Sequence, residues 1–381
     1  MATADQQQPR EQDAAGAGER TALETLERRA ASEVRPPCRR RRRRQASLTT
    51  VAVFVSGALA VIGFYHPDRE ILRRPFVSVA EAAAPTARPS ANAFGKSGEV
   101  KVRFALPDEA VEYPLEVRDD PRTLTYSWVR VGDTTATPGP RPLSGNVVAP
   151  STPGFYRLAL ARTAVDSATG RVLVTERRVV DGMTLAVLVP FSQKLGATLN
   201  GYRIGTYLAE RLKGGAREHP EGFVQVAESD VDLPLSKHLR LGDFVTHDAQ
   251  QTWPRYAALN PRLLDKLELV VAEVASWRGD SAAEVRVSVS SGFRTPLYNR
   301  SVKRSAKDSR HQYGDAADVS IDANGDGRFT AADAKLVVRA VEAVEARHPD
   351  LAGGLGLYTS RRYSTPYVHI DARGSRARWN G

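Results

Sequence analysis

The chain has 381 residues, of which 41% are hydrophobic and 26% are charged, and its formal net charge at pH 7 is +10. This length allows two domains plus tails, and the composition is ordinary for globular protein. Residues 1–45 hold eleven Arg against seven Asp and Glu, so +4 of the charge lies there and +6 is spread over the remainder. That dilute excess is compatible with an anionic polymer as a partner, and it does not indicate nucleic-acid binding.

The amino-terminal tail and the segment after it predict a membrane anchor. Residues 1–45 have no sustained apolar pattern and are interpreted as a disordered cytoplasmic tail, which ends in six arginines at positions 39–44. Residues 46–65 carry no charge, and about 20 residues at ~1.5 Å each cross the ~30 Å hydrocarbon core of a bilayer. The positive-inside rule keeps the arginines in the cytoplasm and exports everything after residue 65. We therefore expect a single transmembrane signal anchor.

Three alternatives for this region stay open. The arginine run also fits a nucleic-acid or nuclear-targeting patch, although its position against the apolar segment already explains it. The apolar segment also resembles a cleaved signal peptide, but it is long for one and no small-residue cleavage site follows directly. The one cysteine, Cys38, precedes the arginines and is a candidate for lipidation. The exported part therefore has no disulfide and depends on its hydrophobic core.

The exported residues divide into a spacer, a β-rich part, a connector and a carboxy-terminal domain. Residues 66–97 contain Pro, Ala and Ser with little periodicity and predict a linker. Residues 98–190 predict short strands separated by Pro, Gly and Asp, which indicates a β-sandwich-like module that serves for sugar binding or for packing. Residues 191–260 give a weaker pattern and are interpreted as a connector that packs on the last domain.

Residues 261–381 predict the domain that carries the chemistry. Asn260 and Pro261 form a helix-start signal, and apolar residues follow at helical spacing at positions 263, 264, 267, 270, 271 and 274. Alternation predicts strands around residues 285–291, 317–321 and 367–371. We therefore expect an α+β fold with a small, mainly antiparallel sheet and flanking helices.

Two histidines and an aspartate in this domain predict a metal site. Residues 309–318 read S-R-H-Q-Y-G-D-A-A-D, residues 368–371 read V-H-I-D, and the candidate ligands are His311, Asp318 and His369. Neutral imidazole nitrogen and carboxylate oxygen suit Zn²⁺, and three protein ligands leave a fourth position open for water, as hydrolysis requires. Each of the three residues alone is also explained as a polar side chain satisfied by hydrogen bonds.

These motifs resemble the zinc D-alanyl-D-alanine peptidases that cut bacterial peptidoglycan. The pattern S-x-H-x-x-G-x-A-x-D, the later H-x-D, and S-G-F-R-T-P-L-Y-N at residues 291–299 agree with that family. The ending H-I-D…R-W at residues 369–379 is most similar to the murein endopeptidase branch. The resemblance covers roughly residues 230–381, and it implies that Zn²⁺ is held by His311, Asp318 and His369.

The resemblance also implies roles for two further residues. Arg294 is expected to bind a substrate carboxylate or the oxyanion that forms during amide attack; the alternative is a structural salt bridge to a nearby acid. The family commonly has a carboxylate three residues before the last histidine ligand, but here that residue is Pro366. Asp371 shares a strand face with His369, and it is either the general base or a support for a ligand or for Arg294.

A second metal motif lies between the two zinc motifs. Residues 322–333 match a twelve-residue calcium loop at positions 1, 3, 5, 6 and 12, with Asp where EF-hands usually have Glu. The loop resembles that of an EF-hand or a dockerin. A dockerin that recruits a partner generally has a second loop, and an Asx-rich turn without metal is the other alternative. We expect a structural Ca²⁺ held by Asp322, Asn324, Asp326, Arg328 and Asp333.

These features together predict a membrane-anchored bacterial zinc metallopeptidase that hydrolyses peptide bonds in peptidoglycan stem peptides or cross-links. The expected location is the cytoplasmic membrane, with the catalytic part on the periplasmic or cell-wall side. The ending favours an endopeptidase over a carboxypeptidase. The alternative is a non-catalytic, zinc-containing cell-wall binding or signalling module, since hedgehog-type domains keep zinc on a similar scaffold. Pro366 keeps this alternative open, and no protein partner is indicated.

Overall fold

The computed structural model describes residues 87–89 and 94–381, apart from residues 114, 135, 138, 144–146, 166, 171, 213–218, 279–283 and 361–362. The predictions for the tail at 1–45, the membrane segment at 46–65 and most of the linker at 66–97 lie outside the described residues. Within the described chain, no helix combines the length and the apolar composition that crossing a bilayer requires.

The fold class predicted from the sequence is wrong. It combined an α+β domain with a β-sandwich-like module and a transmembrane helix, whereas the described residues form a mixed α/β structure with several small sheets. A sandwich needs two facing sheets, but most strands of the β-rich part join a single six-stranded sheet. The long strand Gly154–Val165 accounts for this difference, because it pairs with three other strands along its length.

The β-rich part is built around this six-stranded sheet. Its strands are β1 (Ala87–Pro89), β2 (Val102–Ala105), β3 (Ala110–Val111), β4 (Leu115–Val117), β5 (Leu124–Arg130), β6 (Arg141–Pro142), β7 (Val147–Val148), β8 (Gly154–Val165), β9 (Val172–Val179) and β10 (Thr184–Val187). The large sheet has the order β2-β10-β8-β5-β6 with β9 paired to β8, and β2 and β10 run parallel. The pairs β1–β4 and β3–β7 are antiparallel two-stranded sheets.

The middle of the chain has short elements. They are β11 (Val189–Pro190), β12 (Thr198–Leu199), β13 (Tyr202–Arg203), α1 (Leu208–Arg211), β14 (Gly222–Val226) and β15 (Arg255–Ala257). Strands β11, β14 and β15 form a three-stranded antiparallel sheet, and β12 pairs with β13. Buried aromatic side chains fill the core of this part, namely Tyr202, Tyr207, Phe223, Tyr256 and Phe293.

The carboxy-terminal part is a five-stranded sheet with two long helices. Its elements are α2 (Pro261–Trp277), β16 (Val287–Ser291), α3 (Pro296–Asn299), β17 (Ala316–Ile321), α4 (Ala331–Arg347), β18 (Gly354–Tyr358), β19 (Tyr367–Asp371) and β20 (Ala377–Asn380). The strand order is β16-β17-β19-β18-β20, in which β18 and β20 are parallel and the other pairs are antiparallel. Helices α2 and α4 pack against each other and against the sheet.

Helix α2 begins where the sequence predicts. The Asn260 side chain accepts a hydrogen bond from the Arg262 N–H at 3.0 Å, and Pro261 occupies the first turn, where its missing N–H costs no helical bond. The apolar face predicted from helical spacing is buried, namely Leu263, Leu264, Leu267, Val270, Val271 and Val274. This burial drives α2 against the core, since each fully buried aliphatic side chain contributes about 1.5–3 kcal/mol.

One hydrophobic core joins the β-rich part to the carboxy-terminal part. Val102 of β2 and Ala186 of β10 lie in the same buried cluster as Leu263 of α2 and Val319 of β17. The Lys101 N–H also donates to the Leu235 carbonyl at 2.9 Å. The two parts are therefore held in a fixed arrangement by packing.

The buried Lys266 side chain links both long helices to β19, the middle strand of the five-stranded sheet. The Lys266 ammonium of α2 donates to Glu345 of α4 at 2.8 Å and to the Asp371 carbonyl of β19 at 2.7 Å. Burial lowers the pKa of Lys266, and its carboxylate partners oppose that effect. The Lys266 ammonium group thus holds the carboxyl end of β19 in place.

Glu268 of α2 is a buried carboxylate that holds the segment preceding the helix. It accepts hydrogen bonds from the Ser236 hydroxyl at 2.5 Å, the His238 backbone N–H at 2.8 Å and the His238 imidazole at 2.7 Å. Burial raises the pKa of Glu268, but these hydrogen bonds outweigh burial and hold the pKa below its ordinary value. The folded state therefore favours the ionised carboxylate.

Because the folded-state pKa is depressed, ionised Glu268 stabilises the fold above its unfolded-state pKa of about 4.3, and this contribution is lost as pH falls through the folded-state pKa. We expect Glu268→Gln to lower the free energy of unfolding by about 1–3 kcal/mol at neutral pH and by less under acid conditions. Urea denaturation across this pH range measures the difference, with the exposed Glu112→Gln as control. Parallel pH profiles for Glu268→Gln and the unmodified protein contradict the assignment.

Candidate metal centre

Two of the three predicted zinc ligands are brought together by strand register. In the antiparallel pair β17–β19, Asp318 lies directly opposite His369. Directly opposed residues in such a pair point to the same face of the sheet. The Asp318 Oδ1 atom is accordingly 2.9 Å from the His369 Nδ1 atom.

The third predicted ligand, His311, comes from a tight turn just before β17. This 3₁₀ turn (Arg310–Tyr313) ends at Gly314, whose φ of 70° favours glycine. A Cβ atom at Gly314 would lie 2.2 Å from the Ala258 carbonyl oxygen, so the close approach also requires glycine. The turn places His311 Nε2 at 3.1 Å from His369 Nδ1 and at 3.2 Å from Asp318 Oδ1.

The outer nitrogen of each imidazole has an acceptor of its own. His311 Nδ1 donates to the Gly292 carbonyl at 2.6 Å, and His369 Nε2 lies 3.3 Å from Asp371 Oδ2. When the outer nitrogens carry the protons of the neutral rings, His311 Nε2 and His369 Nδ1 present lone pairs toward Asp318 Oδ1. In that state a cation between the three atoms would be bound by all of them.

The electrostatics of the site favour a positive charge at this point. Burial raises the pKa of Asp318, but the two imidazoles outweigh burial and hold the pKa far below its ordinary value, so the side chain is a carboxylate. Burial lowers the pKa of His369, but the Asp318 and Asp371 carboxylates outweigh burial and raise it. Burial lowers the pKa of His311. The residues present therefore fit a divalent cation bound by two imidazole nitrogens and one carboxylate oxygen, which suits Zn²⁺.

Among the residues that the structure describes, these three make up the one group of His, Cys, Asp or Glu whose ligand atoms all lie within 4.8 Å of one another. The predicted calcium ligands form no comparable group. Asp322 accepts the N–H groups of Gly325 and Gly327, and Asp333 accepts those of Ala323, Asn324 and Thr330.

The remaining residues of that loop are bonded in the same way. Asn324 accepts the Asp326 N–H at 3.0 Å, and Asp326 accepts the Arg328 N–H at 2.8 Å. Asp333 also completes a capping box with Thr330 at the start of α4. The loop thus satisfies its own backbone, as an Asx-rich turn does, and the predicted calcium is not supported.

Arg294 lies next to the three ligands and contacts one of them. Its guanidinium forms an ion pair with Asp318 Oδ2, while its Nε donates to the Ser291 hydroxyl at 2.7 Å. The pairing of β16 with β17 is irregular between Val289 and Ser291, and such bulges redirect the chain that follows. The salt bridge considered from the sequence is therefore present, and the partly exposed guanidinium also lines the cleft over the site.

Asp371 shares a strand face with His369, as the alternation of β19 requires, but its side chain is 0% exposed. Its oxygens accept the Gly354 N–H at 2.7 Å, the Arg373 N–H at 3.2 Å and the Arg373 guanidinium, in addition to His369. These contacts match the support of a ligand, which is one of the roles left open by the sequence.

A cleft of about 980 Å³ opens over the three ligands. Its lining has five cationic side chains, namely Arg294, Lys303, Arg304, Arg310 and Arg373, and three of these are paired with carboxylates. The carboxylates in the described lining are those of Asp308 and the ligand Asp318. The cleft therefore favours an anionic ligand.

An aromatic wall forms one side of the cleft, and the sequence did not reveal it. Tyr358 and Tyr367 are cross-strand neighbours and stack at 4.5 Å, while Tyr363 stands edge-on to both. The Trp379 indole donates to the Tyr358 hydroxyl at 2.8 Å, and its ring lies 5.2 Å from that of His369. The available signal was the period-2 spacing of Tyr367 and His369, which puts both on one strand face.

Gly356 allows the indole to come this close to the metal ligands. It lies between His369 and Trp379 in the sheet, paired with one on each side. A Cβ atom there would lie 2.4 Å from the Trp379 Nε1 atom.

Comparison with known proteins gives one match. The sequence profile of the Peptidase M15 family matches residues 248–348. None of the curated proteins and none of the solved structures matches the chain. The resemblance to zinc D-alanyl-D-alanine peptidases inferred from the motifs is thereby confirmed.

The M15 segment contains Arg294, His311 and Asp318 but ends before His369. The fold supplies the third ligand, since β19 pairs with β17 inside the same sheet. M15 enzymes are peptidases that use zinc, and the three grouped ligands agree with that use. This part of the chain is a peptidase domain.

Replacement of Asp371 tests its support of His369. We expect Asp371→Ala to weaken Zn²⁺ binding about 10- to 100-fold, because His369 loses the acceptor that orients its ring. Competition with a chromophoric chelator measures the dissociation constant, and circular dichroism checks the fold. The exposed Asp232→Ala is the matched control. Unchanged affinity in Asp371→Ala would show that the carboxylate does not orient the ligand.

Proposed function

We propose that this chain is a zinc-dependent peptidase that hydrolyses peptide bonds in peptidoglycan, with a cross-link endopeptidase favoured over a carboxypeptidase. The observation that carries the proposal is the convergence of His311, Asp318 and His369 beneath an open cationic cleft, inside and next to an M15 segment. The endopeptidase preference rests on the resemblance of the ending at residues 369–379.

His311, Asp318 and His369 would hold the zinc. Zinc supplies Lewis-acid chemistry for amide hydrolysis when it is bound there. Arg294 keeps Asp318 in its ligating orientation and places a fixed positive charge in the cleft, where it favours negative charge on the substrate. Asp371 keeps the proton of His369 on Nε2, which leaves Nδ1 free to ligate.

A carboxylate is also needed to move protons during hydrolysis. Asp371 is buried and fully hydrogen-bonded, and Asp318 is a ligand, so we assign proton transfer to Asp308, which lines the cleft. The residue lies three positions before His311, just ahead of the turn that carries this ligand. In this proposal Asp308 takes the proton-transfer role of the family's carboxylate, whose position is occupied here by Pro366.

The cleft also supports the substrate class. Peptidoglycan stem peptides carry free carboxylates, and the five cationic side chains of the lining offer complementary charge. The aromatic wall gives a surface for the substrate backbone or its small side chains. Since peptidoglycan is an extracytoplasmic polymer, the domain would act on the cell-wall side of the membrane.

The central test is cleavage of purified peptidoglycan by the zinc-loaded chain. Cleavage of a cross-link leaves both peptides on the glycan strands, so the treated polymer is digested with a muramidase, and we expect fewer cross-linked muropeptides. We expect His311→Ala to lower the rate at least about 10³-fold, since loss of a ligand removes several kcal/mol of metal stabilisation. Mass spectrometry of the products is the measurement. His348→Ala, a histidine at the end of α4, is the matched control and should cleave normally.

The product masses separate the two peptidase types. Conversion of cross-linked dimers to monomers identifies an endopeptidase, whereas release of single terminal D-alanine identifies a carboxypeptidase. The second result would overturn the endopeptidase assignment while it leaves the zinc peptidase in place.

A second candidate is a non-catalytic zinc module that binds the cell wall. The burial and saturation of Asp371 favour it, because the carboxylate nearest the ligands in sequence is unavailable as a base. Retention of peptidoglycan by a folded, zinc-bound chain that releases no product would establish this function instead.

Asp308→Asn tests the residue to which proton transfer is assigned. If Asp308 moves the proton, the substitution should lower kcat about 10²- to 10⁴-fold while KM and Zn²⁺ affinity change little. Steady-state kinetics on a cross-linked muropeptide and a zinc competition assay give the three values. A normal kcat would assign the proton transfer elsewhere.

A further inference from the structure

A second cleft, of about 640 Å³, lies where the β-rich part meets the M15 segment. One wall comes from β2 and the turn after it, and includes Arg103 and Glu109. Another comes from residues 219–222, and the floor comes from the start of α2 and from Arg310, Tyr313 and Asp315. No role for the β-rich part has been assigned so far, and this cleft gives it a surface close to the metal centre.

The two clefts share a residue. Arg310 lines both, and it immediately precedes the ligand His311. Its guanidinium binds the Asp315 carboxylate, with Nε 3.0 and 2.9 Å from the two oxygens, and lies 4.9 Å from the Tyr313 ring centroid. Tyr313 and Asp315 face the second cleft, so the ion pair stands at the boundary between the clefts. The second cleft is therefore adjacent to the cleft over the metal ligands.

The walls of the second cleft are held in place by packing. Val102 lies next to Arg103 on β2, and its side chain is buried in the cluster that includes Leu263 and Leu264 of α2. On the opposite wall, the His219 ring stacks on Phe191 with centroids 3.7 Å apart. The cleft is therefore a preformed surface, as binding sites usually are.

The charges of this cleft differ from those over the metal centre. Cationic Arg103 and Arg310 are balanced by the carboxylates of Glu109, Glu221 and Asp315. A lining of mixed sign suits a ligand that carries both carboxylate and amino groups. A cross-linked peptidoglycan peptide contains two strands, and the strand on the acyl side of the cross-link keeps a free amino group as well as carboxylates, since the amino group of the other strand is taken up in the cross-link.

On the basis of the proposed endopeptidase function, we propose that the second cleft binds the peptide strand on the acyl side of the scissile bond, so that a cross-linked substrate spans both clefts. The β-rich part thereby determines specificity for cross-linked over single peptides. Arg103 is a binding residue in this scheme, and it takes no part in bond cleavage.

Two substrates with the same scissile bond test the proposal on the zinc-loaded full chain. One is a cross-linked muropeptide dimer; in the other, the acyl-side strand is cut back to the single residue before the scissile bond. We expect a lower KM for the dimer in the unmodified chain. Arg103→Glu should raise KM for the dimer about 5-fold, in line with loss of one exposed charge interaction. It should leave kcat and the truncated substrate unaffected. Arg141→Ala, an exposed arginine of the same β-rich part, is the control.

A binding measurement keeps this inference separate from the question of catalysis. Isothermal titration of the dimer and of the truncated substrate is performed with His311→Ala and with His311→Ala combined with Arg103→Glu, after thermal melts show that both are folded. Tighter binding of the dimer that depends on Arg103 supports the second cleft even if the unmodified chain cleaves nothing. Equal affinity for both ligands, or an Arg103→Glu variant that binds the dimer normally, overturns it.

Discussion

Three electron pairs directed at one point are the constraint on which this structure depends. His311 Nε2, Asp318 Oδ1 and His369 Nδ1 lie 2.9–3.2 Å apart, and each imidazole donates its proton away from the others. Such an arrangement is unfavourable without a cation, so the surrounding chain must impose it. The Gly292 carbonyl and the Asp371 carboxylate do so directly, since they hold the ring protons on the outer nitrogens.

The supports of the site reach deep into the core. Asp371 is fixed by Arg373 and by the Gly354 N–H, and its carbonyl accepts a hydrogen bond from Lys266, which is itself paired with Glu345. Helices α2 and α4 are thus linked to the strand that carries His369. Charged groups this deeply buried are tolerated because each has a partner, and removal of one partner is more costly than the pair is stabilising.

Two clefts with different linings lie around the metal centre. The cleft over the ligands is cationic and has an aromatic wall, whereas the neighbouring cleft has charges of both signs. Arg310 belongs to both, and a single hydrophobic core fixes the β-rich part beside the M15 segment. This arrangement places the part of the chain that has no catalytic motif beside the metal centre, where its residues line the second cleft.

The sequence by itself determined the local features, namely the start of α2 at Asn260, its buried face, the strand alternation that carries His369, and the ligand types of the zinc motif. These depend on neighbouring residues, whose spacing is written in the chain. Only the tertiary structure decided that six of the β-rich strands form one sheet, that Asp371 is buried, and that Tyr358 and Tyr363 join Tyr367 beside the ligands. Strand order, register and burial arise from contacts between distant segments, and the spacing of residues along the chain does not specify them.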